Sequence, residues 1–287
     1  NPDTYGLISI GWSPDGEVLA IAAGNGVYLY RGRVNAAREW ERLGELRVGA
    51  LTPSLAFSPD GLWLAAGSRD GMVRVWRLDD ALGGEQAPAW KVQAHKKGVN
   101  SVNFSPVEGR LASGGNDAVV RSWELASGKL LETTVGGTYA VPCVVFSPDG
   151  QMLAVVNGQM IRLRQVGTRL IMGSFRAEKQ LFSAAISPDG QTLAAGDNDN
   201  HVLLWETAQA YRTGQEQYPE PVILTGHAGR TGNFRALIWQ LVFSPDGDLL
   251  ASAGGDGRVM LWNVREKAPL AALVGHVAGV SGVAFSP

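Results

Sequence analysis

The chain has 287 residues, of which 45% are hydrophobic, and its formal net charge at pH 7 is −2. Such a composition is typical of a soluble globular protein with a large core. The balanced charge gives no general attraction to nucleic acid or to an anionic membrane, and no apolar run approaches the ~18 residues of a membrane helix. The single cysteine, Cys143, excludes an intrachain disulfide and is compatible with a reducing compartment. We therefore expect a cytoplasmic protein without nucleic-acid or membrane partners.

A Ser-Pro turn recurs along the whole chain. Five of its first six copies read Ser-Pro-Asp-Gly, and the third reads Ser-Pro-Val-Glu-Gly. Proline presets φ for the turn, aspartate suits the next position and glycine accepts the left-handed backbone that follows, which predicts a hairpin connection. The serines, at intervals of 40 to 57 residues, are Ser13, Ser58, Ser105, Ser147, Ser187, Ser244 and Ser286.

Short β-rich runs flank each turn, as in Ser54–Phe57 before it and Leu62–Ala66 after it. A third run follows a second turn, as in Met72–Trp76, and a weaker fourth run closes the unit, as in Pro221–Leu224. Four antiparallel strands in roughly 40–45 residues make a propeller blade. The pattern predicts an all-β fold with six complete four-stranded blades, the first strand of a seventh at Val280–Phe285, and no amphipathic helix.

These units resemble WD40 repeats, and in particular repeats of bacterial type. The resemblance rests on Gly-His pairs ending at His227 and His276, on the Phe-Ser-Pro-Asp-Gly turns, and on an Asp followed six residues later by Trp. No such Trp is followed by Asp, and the first and fourth units have Asn25 with Tyr30 and Asn157 with Leu163 instead. The Asp/Trp pairs are Asp70/Trp76, Asp117/Trp123, Asp199/Trp205 and Asp256/Trp262.

The resemblance implies one WD40 β-propeller domain over residues 1–287. Rings of this family most often have seven blades, whereas only one strand of the seventh is present here. The chain also starts at Asn1 and stops at Pro287 inside a repeated turn. We therefore expect a piece of a longer parent chain with further domains, which supplies the remaining strands.

Two units contain His, Ser and Asp together, a set that invites a hydrolase interpretation. In WD40 proteins this set resembles a buried hydrogen-bonded chain from Trp through Ser and His to Asp. Where the histidine is missing, in blades two and five, Ala66 and Ala195 replace the serine as well, which favours the structural role. The two predicted structural tetrads are His95, Ser113, Asp117 and Trp123, and His227, Ser252, Asp256 and Trp262.

No other constellation predicts a catalytic centre, a metal site or a cofactor. The four histidines lie in four different repeats without ligand spacing, and the glycine clusters lack the Gly-Lys-Ser/Thr of a phosphate loop. Lys96 and Lys97 form a pair and not the basic stripe of a nucleic-acid binder.

Loops that the repeat does not explain are candidates for protein binding. The loop after His227 is seven residues longer than its equivalents and carries Arg230, Phe234 and Arg235, residue types that anchor interfaces. Repeat position places further candidates near the channel mouth: Arg69, Lys96, Lys97 and Tyr139. A second insertion, Glu206–Glu220, extends the outer hairpin of the fifth blade toward the opposite face, and we expect a third, Asp79–Ala87, to be polar and flexible.

The sequence thus favours a non-catalytic scaffold or sensor module that presents a rigid ring of loops to peptide or protein partners. One alternative is a small ligand in the central channel, although the first strands supply mostly small neutral residues there: Ser9, Ser54, Ser101, Cys143, Ser183 and Gln240. Another is the sensor region of a bacterial signalling protein with an attached effector domain.

Overall fold

The structure, a computed structural model, describes residues 7–32, 40–107, 109–210, 217–228 and 237–287. Over these residues the chain forms six four-stranded antiparallel sheets, each built from four strands that are consecutive in sequence. They divide into two compact units of three sheets, Asn1–Val135 with Ser286–Pro287 and Gly136–Phe285. The all-β prediction and the six four-stranded blades are confirmed, and a single domain over residues 1–287 stays a prediction.

The strands follow the predicted runs closely. In the first unit they are β1 (Leu7–Trp12), β2 (Leu19–Ala23), β3 (Gly26–Gly32) and β4 (Trp40–Arg47) in blade 1, β5 (Ser54–Phe57), β6 (Trp63–Gly67), β7 (Met72–Arg77) and β8 (Trp90–Gln93) in blade 2, and β9 (Val99–Phe104), β10 (Arg110–Gly115), β11 (Val119–Glu124) and β12 (Leu130–Val135) in blade 3.

The second unit repeats the arrangement. Its strands are β13 (Val144–Phe146), β14 (Met152–Asn157), β15 (Met160–Gln165) and β16 (Ile171–Arg176) in blade 4, β17 (Leu181–Ile186), β18 (Thr192–Asp197), β19 (Val202–Glu206) and β20 (Val222–Leu224) in blade 5, and β21 (Ile238–Phe243), β22 (Leu249–Gly254), β23 (Val259–Asn263) and β24 (Ala268–Leu273) in blade 6.

Each Ser-Pro-Asp-Gly turn is a small hydrogen-bonded unit. In the first copy the Ser13 hydroxyl donates to Asp15 Oδ1 at 2.5 Å and accepts from the Val18 N–H at 2.9 Å, while the Glu17 N–H donates to the same carboxylate oxygen at 3.0 Å. Gly16 takes the positive φ, 73°, that closes the turn. Hydrogen bonds lower the pKa of the turn carboxyl, the one from the Ser hydroxyl most and the one from the backbone N–H second. This holds for Asp15, Asp149, Asp189 and Asp246.

The apolar core lies between neighbouring blades. Within the first unit, Leu29 of blade 1 packs with Leu64 and Trp76 of blade 2, and within the second, Phe175 of blade 4 packs with Trp205 of blade 5. Side chains alternate between the two faces of a strand, so blade 2 contributes to one core with blade 1 and to another with blade 3. Trp76 and Trp262 are among the largest fully buried side chains.

The sequence predicts a polar, flexible loop for the insertion after β7, but the structure differs. It begins with a one-turn helix, α1 (Leu78–Leu82), whose Leu78 and Ala81 are buried in the core between blades 1 and 2. Leu78, Ala81 and Leu82 share one face at helical spacing, a pattern too short to stand out beside Asp79 and Asp80. The prediction was therefore wrong for this segment. A second short element, the 3-10 helix Thr207–Gln209, follows β19.

The segment predicted to start a seventh blade forms no strand in the part of the chain that the structure describes. Val280 is buried, and Val283 and Phe285 pack with it against Ala251 and Ala253 of blade 6. The Val283 N–H donates to Gln240 Oε1 at 3.0 Å. The segment thus packs as a first strand would, without the ladder that defines a strand.

Candidate functional site

The histidine of blade 3 lies at the centre of a buried chain of hydrogen bonds. Trp123 Nε1 donates to Ser113 Oγ at 2.9 Å, Ser113 Oγ lies 2.9 Å from His95 Nε2, and His95 Nδ1 lies 2.7 Å from Asp117 Oδ1. A carboxylate only accepts, so His95 Nδ1 carries the proton and Nε2 accepts from the serine. His95 is 1% exposed and Ser113 is fully buried.

Blade 6 repeats this geometry in the second unit. Trp262 Nε1 donates to Ser252 Oγ at 2.8 Å, Ser252 Oγ lies 2.7 Å from His227 Nε2, and His227 Nδ1 lies 2.9 Å from Asp256 Oδ1. In both blades the imidazole lies against a glycine of the second strand. A carbon added to Gly115 would lie 2.3 Å from His95 Nδ1, so only glycine admits the ring.

The second carboxylate oxygen connects the tetrad to the loop before the first strand. Asp256 Oδ2 accepts from the Ala228 N–H at 2.8 Å, and Asp117 Oδ2 accepts from the Lys96 N–H at 3.5 Å. Arg121 Nη1 also donates to Asp117 Oδ2 at 3.0 Å. Each tetrad therefore holds the backbone just before the first strand of its blade, and in blade 3 that backbone carries the exposed Lys96 and Lys97.

Burial sets the protonation of both histidines. Loss of solvent lowers the pKa of His95 and of His227, and the neighbouring carboxylates offset this only in part. Burial opposes ionisation of Asp117 too, but hydrogen bonds from His95 and Arg121 outweigh it and lower the pKa of that carboxyl. At neutral pH the imidazoles are uncharged and the carboxylate is ionised.

A hydrolase interpretation does not fit this geometry. The Ser113 hydroxyl is fully buried, accepts from an indole and donates to the imidazole, so no substrate carbonyl can reach it. The set occurs twice with matching distances, once in each unit. Its chemistry is to satisfy buried polar groups and to hold a loop.

Blades 2 and 5 satisfy the same tryptophan in another way. Where Ala66 and Ala195 replace the serine, Trp76 Nε1 donates to the Gln86 carbonyl and Trp205 Nε1 donates to the Pro219 carbonyl, both at 3.1 Å. Both acceptors belong to the insertions after the third strand. The sequence held the signal, because the two blades that have the tryptophan without the serine are the two with long insertions at this point. The pairing was nevertheless missed.

The predicted basic residues of the first unit lie on exposed turns. Arg69 Nη1 donates to Asn100 Oδ1 at 3.0 Å, and Asn116 Nδ2 donates to the Lys97 carbonyl at 2.9 Å. Arg69, Lys96 and Lys97 are all exposed; Asn100 binds the Arg69 side chain, and Asn116 binds the backbone at Lys97. Tyr139, in the second unit, is 62% exposed. Arg230, Phe234 and Arg235 lie outside the described residues.

First-strand residues that were predicted to face a channel form hydrogen bonds between neighbouring blades. Ser9 Oγ accepts from the Leu55 N–H at 3.1 Å and Ser54 Oγ accepts from the Val102 N–H at 3.0 Å. In the second unit, Ser183 Oγ donates to the Ile238 carbonyl at 3.0 Å. Small neutral side chains at these positions thus have a structural use.

The described part of the chain has no metal-binding group and no membrane-spanning helix. No three His, Cys, Asp or Glu side chains there form a group that could hold a metal ion. None of its helices combines the length and the apolar character needed to cross a membrane.

Comparison with known proteins agrees with the blade architecture. The family model "WD domain, G-beta repeat" matches residues 52–77, 87–124, 171–206 and 221–263. The chain is 26% identical over 212 residues to "Serine-threonine kinase receptor-associated protein" from Gallus gallus, covering 74% of this chain and 55% of the relative. It is 28% identical over 206 residues to "WD repeat-containing protein SL1-17" from Schistosoma mansoni, covering 71% and 62% respectively.

A third relative aligns with almost the whole chain. It is "WD repeat-containing protein WDS homolog" from Arabidopsis thaliana, 24% identical over 282 residues, which is 97% of this chain and 42% of the relative. The chain therefore spans about half the length of the curated relatives it matches. These relatives come from eukaryotes and give no support to the bacterial type inferred from the turns.

Blades of four consecutive antiparallel strands, fastened by Trp-Ser-His-Asp tetrads, define a β-propeller repeat protein. The chain belongs to the WD40 repeat family.

Removing the serine of a tetrad tests its structural role. In Ser113→Ala the Trp123 indole N–H and His95 Nε2 lose their shared partner inside the core. We expect the free energy of unfolding, measured by denaturant titration, to fall by about 1–3 kcal/mol. Ser122→Ala is the matched control, since it removes a buried serine beside Trp123 that lies outside the tetrad. A loss no larger than the control's would contradict the role.

The neutral histidines predict how stability depends on pH. Their folded pKa lies below the ordinary value of 6.5, so they contribute stability that is present above pH 6.5 and is lost as pH falls through the folded pKa. Denaturant titrations from about pH 7.5 to about pH 5 should show falling stability in the wild type. The slope should be shallower in His95→Gln and in His227→Gln. Equal slopes in all three proteins would show that the buried imidazoles do not titrate as described.

Proposed function

We propose that this chain is a non-catalytic scaffold that binds protein or peptide partners through exposed loops on rigid blades. The observation that carries the proposal is the link from each buried tetrad to a loop. Asp117 and Asp256 hold the backbone at Lys96 and Ala228, while the basic side chains of Lys96 and Lys97 stay exposed. A partner that meets a preorganised surface loses less freedom on binding.

Arg69, Lys96 and Lys97 form the basic turn surface of the first unit, the first candidate contact. Asn100 holds the Arg69 side chain and Asn116 holds the Lys97 carbonyl, so both turns keep one arrangement. The loop that follows Ala228 carries Arg230, Phe234 and Arg235, which we propose as a second contact. The name of one relative describes it as receptor-associated, a protein–protein association of that relative.

The buried tetrads support a non-catalytic role, because the Ser and His that resemble a triad serve the core. A cytoplasmic location is proposed from the single cysteine alone. Further domains of a longer parent chain are proposed as partners because the chain spans about half of its relatives.

Charge reversal on the basic turn surface tests the scaffold function. A photo-crosslinking amino acid placed at Lys97 in cells should capture partner proteins, which mass spectrometry identifies. A purified partner should then bind the Arg69→Glu/Lys96→Glu/Lys97→Glu variant at least about tenfold more weakly than the wild type in a titration, since several interfacial charges are reversed.

Lys129→Glu provides the control, because Lys129 is exposed at the hairpin turn between β11 and β12 and does not belong to the basic turn surface. It should bind the partner as the wild type does. If no protein is captured at Lys97, or if the triple variant binds every captured partner unchanged, the basic turn surface is not the contact and the proposal fails there.

A further inference from the structure

Three third strands carry an arginine at the same position of the ladder. Arg74 lies opposite Ala66 in blade 2, Arg121 opposite Ser113 in blade 3, and Arg162 opposite Val155 in blade 4. The same arginine side chain can therefore be compared at one ladder position in three different blades.

In blades 2 and 3 a carboxylate of the preceding turn neutralises this arginine. Arg74 Nη2 lies 2.7 Å from Asp70 Oδ2, and Arg121 Nη1 lies 3.0 Å from Asp117 Oδ2. Blade 4 has Asn157 in place of the aspartate. Arg162 Nη1 donates to the Gly136 carbonyl at 3.1 Å and forms no ion pair with any residue that the structure describes.

A second arginine lies diagonally across the next strand. Arg176 pairs with Met160 and Ser174 pairs with Arg162 in the antiparallel ladder, so both guanidinium groups project from the same face of blade 4. Diagonal neighbours on a face remain within reach of long side chains, so the two guanidinium groups can approach one another. No described carboxylate forms a salt bridge with Arg176 either. Among the described residues, two arginines on one face of blade 4 thus have no carboxylate in an ion pair with them.

These arginines line a cavity of about 440 Å³ inside the second unit. This size lies in the range of pockets that take a small ligand, so it is large enough for one side chain of a partner. Its described lining includes no aspartate and no glutamate. The polar groups that face it, besides Asn157 and Thr138, are Arg162, Arg176, Tyr139, Tyr218, Gln159 and Gln180.

The Asn157 side chain holds one wall of this cavity in place. Its amide donates to the carbonyls of Tyr139 and, at 3.3 Å, Ala140, and its oxygen accepts from the Tyr139 N–H at 3.4 Å. The Tyr139 ring covers Gly158, where an added carbon would lie 2.7 Å from it. An aspartate could not donate to those carbonyls, so the residue that orders the wall also supplies no carboxylate to Arg162.

We propose that this cavity, the blade 4 pocket, binds an acidic side chain of an extended peptide segment in a protein partner. Arg162 and Arg176 donate charge-assisted hydrogen bonds to its oxyanion, and Tyr139 and Tyr218 pack against the flanking residues. A glutamate carboxylate and a phosphorylated serine share this chemistry. The inference rests on the proposed scaffold function and names a third contact, apart from the basic turn surface and the loop that follows Ala228.

Arrays of short peptides with a fixed central residue test the pocket. Three arrays carry glutamate, phosphoserine or serine at the centre, with random flanks, and are probed with labelled protein. We expect binding to the glutamate array, the phosphoserine array or both, and not to the serine array. The selected peptides should bind Arg162→Gln and Arg176→Gln about tenfold or more weakly in solution, because each variant loses a hydrogen bond to a charged group.

Arg74→Gln is the matched control, since it removes the equivalent arginine of blade 2 where Asp70 already neutralises it. It should bind the selected peptides as the wild type does, and circular dichroism should show all three variants folded. Equal binding to the three arrays, or acidic peptides that bind Arg162→Gln unchanged, would overturn the proposal. Arg162-dependent binding to phosphatidylserine vesicles without peptide binding would overturn it too.

The two proposals fail separately. If the acidic peptides do not bind while the partner captured at Lys97 still does, only the blade 4 pocket is wrong. If no partner needs the basic turn surface for binding while acidic peptides need Arg162, only the blade 4 pocket supports the scaffold function.

Discussion

The buried indole N–H of the third strand is the constraint on which the blades depend. Trp76, Trp123, Trp205 and Trp262 are each less than 5% exposed, and each fills the core beside a neighbouring blade. An indole N–H removed from water without an acceptor costs about 1–3 kcal/mol. The chain supplies two kinds of acceptor: a serine of the second strand or a carbonyl of an insertion after the third strand.

The acceptor of the indole N–H determines whether the core is connected by hydrogen bonds to the loop before the first strand. A serine needs a second partner, which the histidine provides, and the histidine in turn needs the carboxylate that reaches the loop backbone. A packing requirement in the core is thereby transmitted to exposed residues. Blade 4 has Arg164 at the ladder position of the tryptophan and no histidine, and there an asparagine orders the loop of Tyr139.

Much of the architecture could be predicted from the sequence because its signals are local. Proline, aspartate and glycine specify a turn within four residues, and the strands between turns alternate in the expected way. Contacts across blades could not be predicted, since Ser9 gives no indication along the chain that it will accept from Leu55. The burial of Leu78 and Ala81 was likewise not predicted, because the neighbouring aspartates make the segment look polar. The carbonyl acceptors of Trp76 and Trp205 lie 10 and 14 residues away along the chain.

The blade 4 pocket was missed because counting residues gives the wrong register there. Spacing from Asn157 aligns Leu163 with the tryptophans and places Arg162 beside it. The ladder instead continues to the pair Asn157 and Met160, whereas that of blade 3 stops at Gly114 and Val120. The turn between β14 and β15 is shorter than that between β10 and β11, so counting from the turn residue gives the wrong position in the third strand. Only the strand pairing shows that Arg162 is equivalent to Arg121. Tyr139, selected from repeat position, lies in the wall of this pocket.

Hydrogen exchange of the indole protons tests the central claim most directly. In protein with ¹⁵N-labelled tryptophan, the indole protons of the four third-strand tryptophans should exchange about 100-fold or more slowly than that of Trp239, which is 42% exposed. Trp76 and Trp205, bonded to carbonyls, should be protected as Trp123 and Trp262 are. Exchange of these four protons as fast as that of Trp239 would contradict the account.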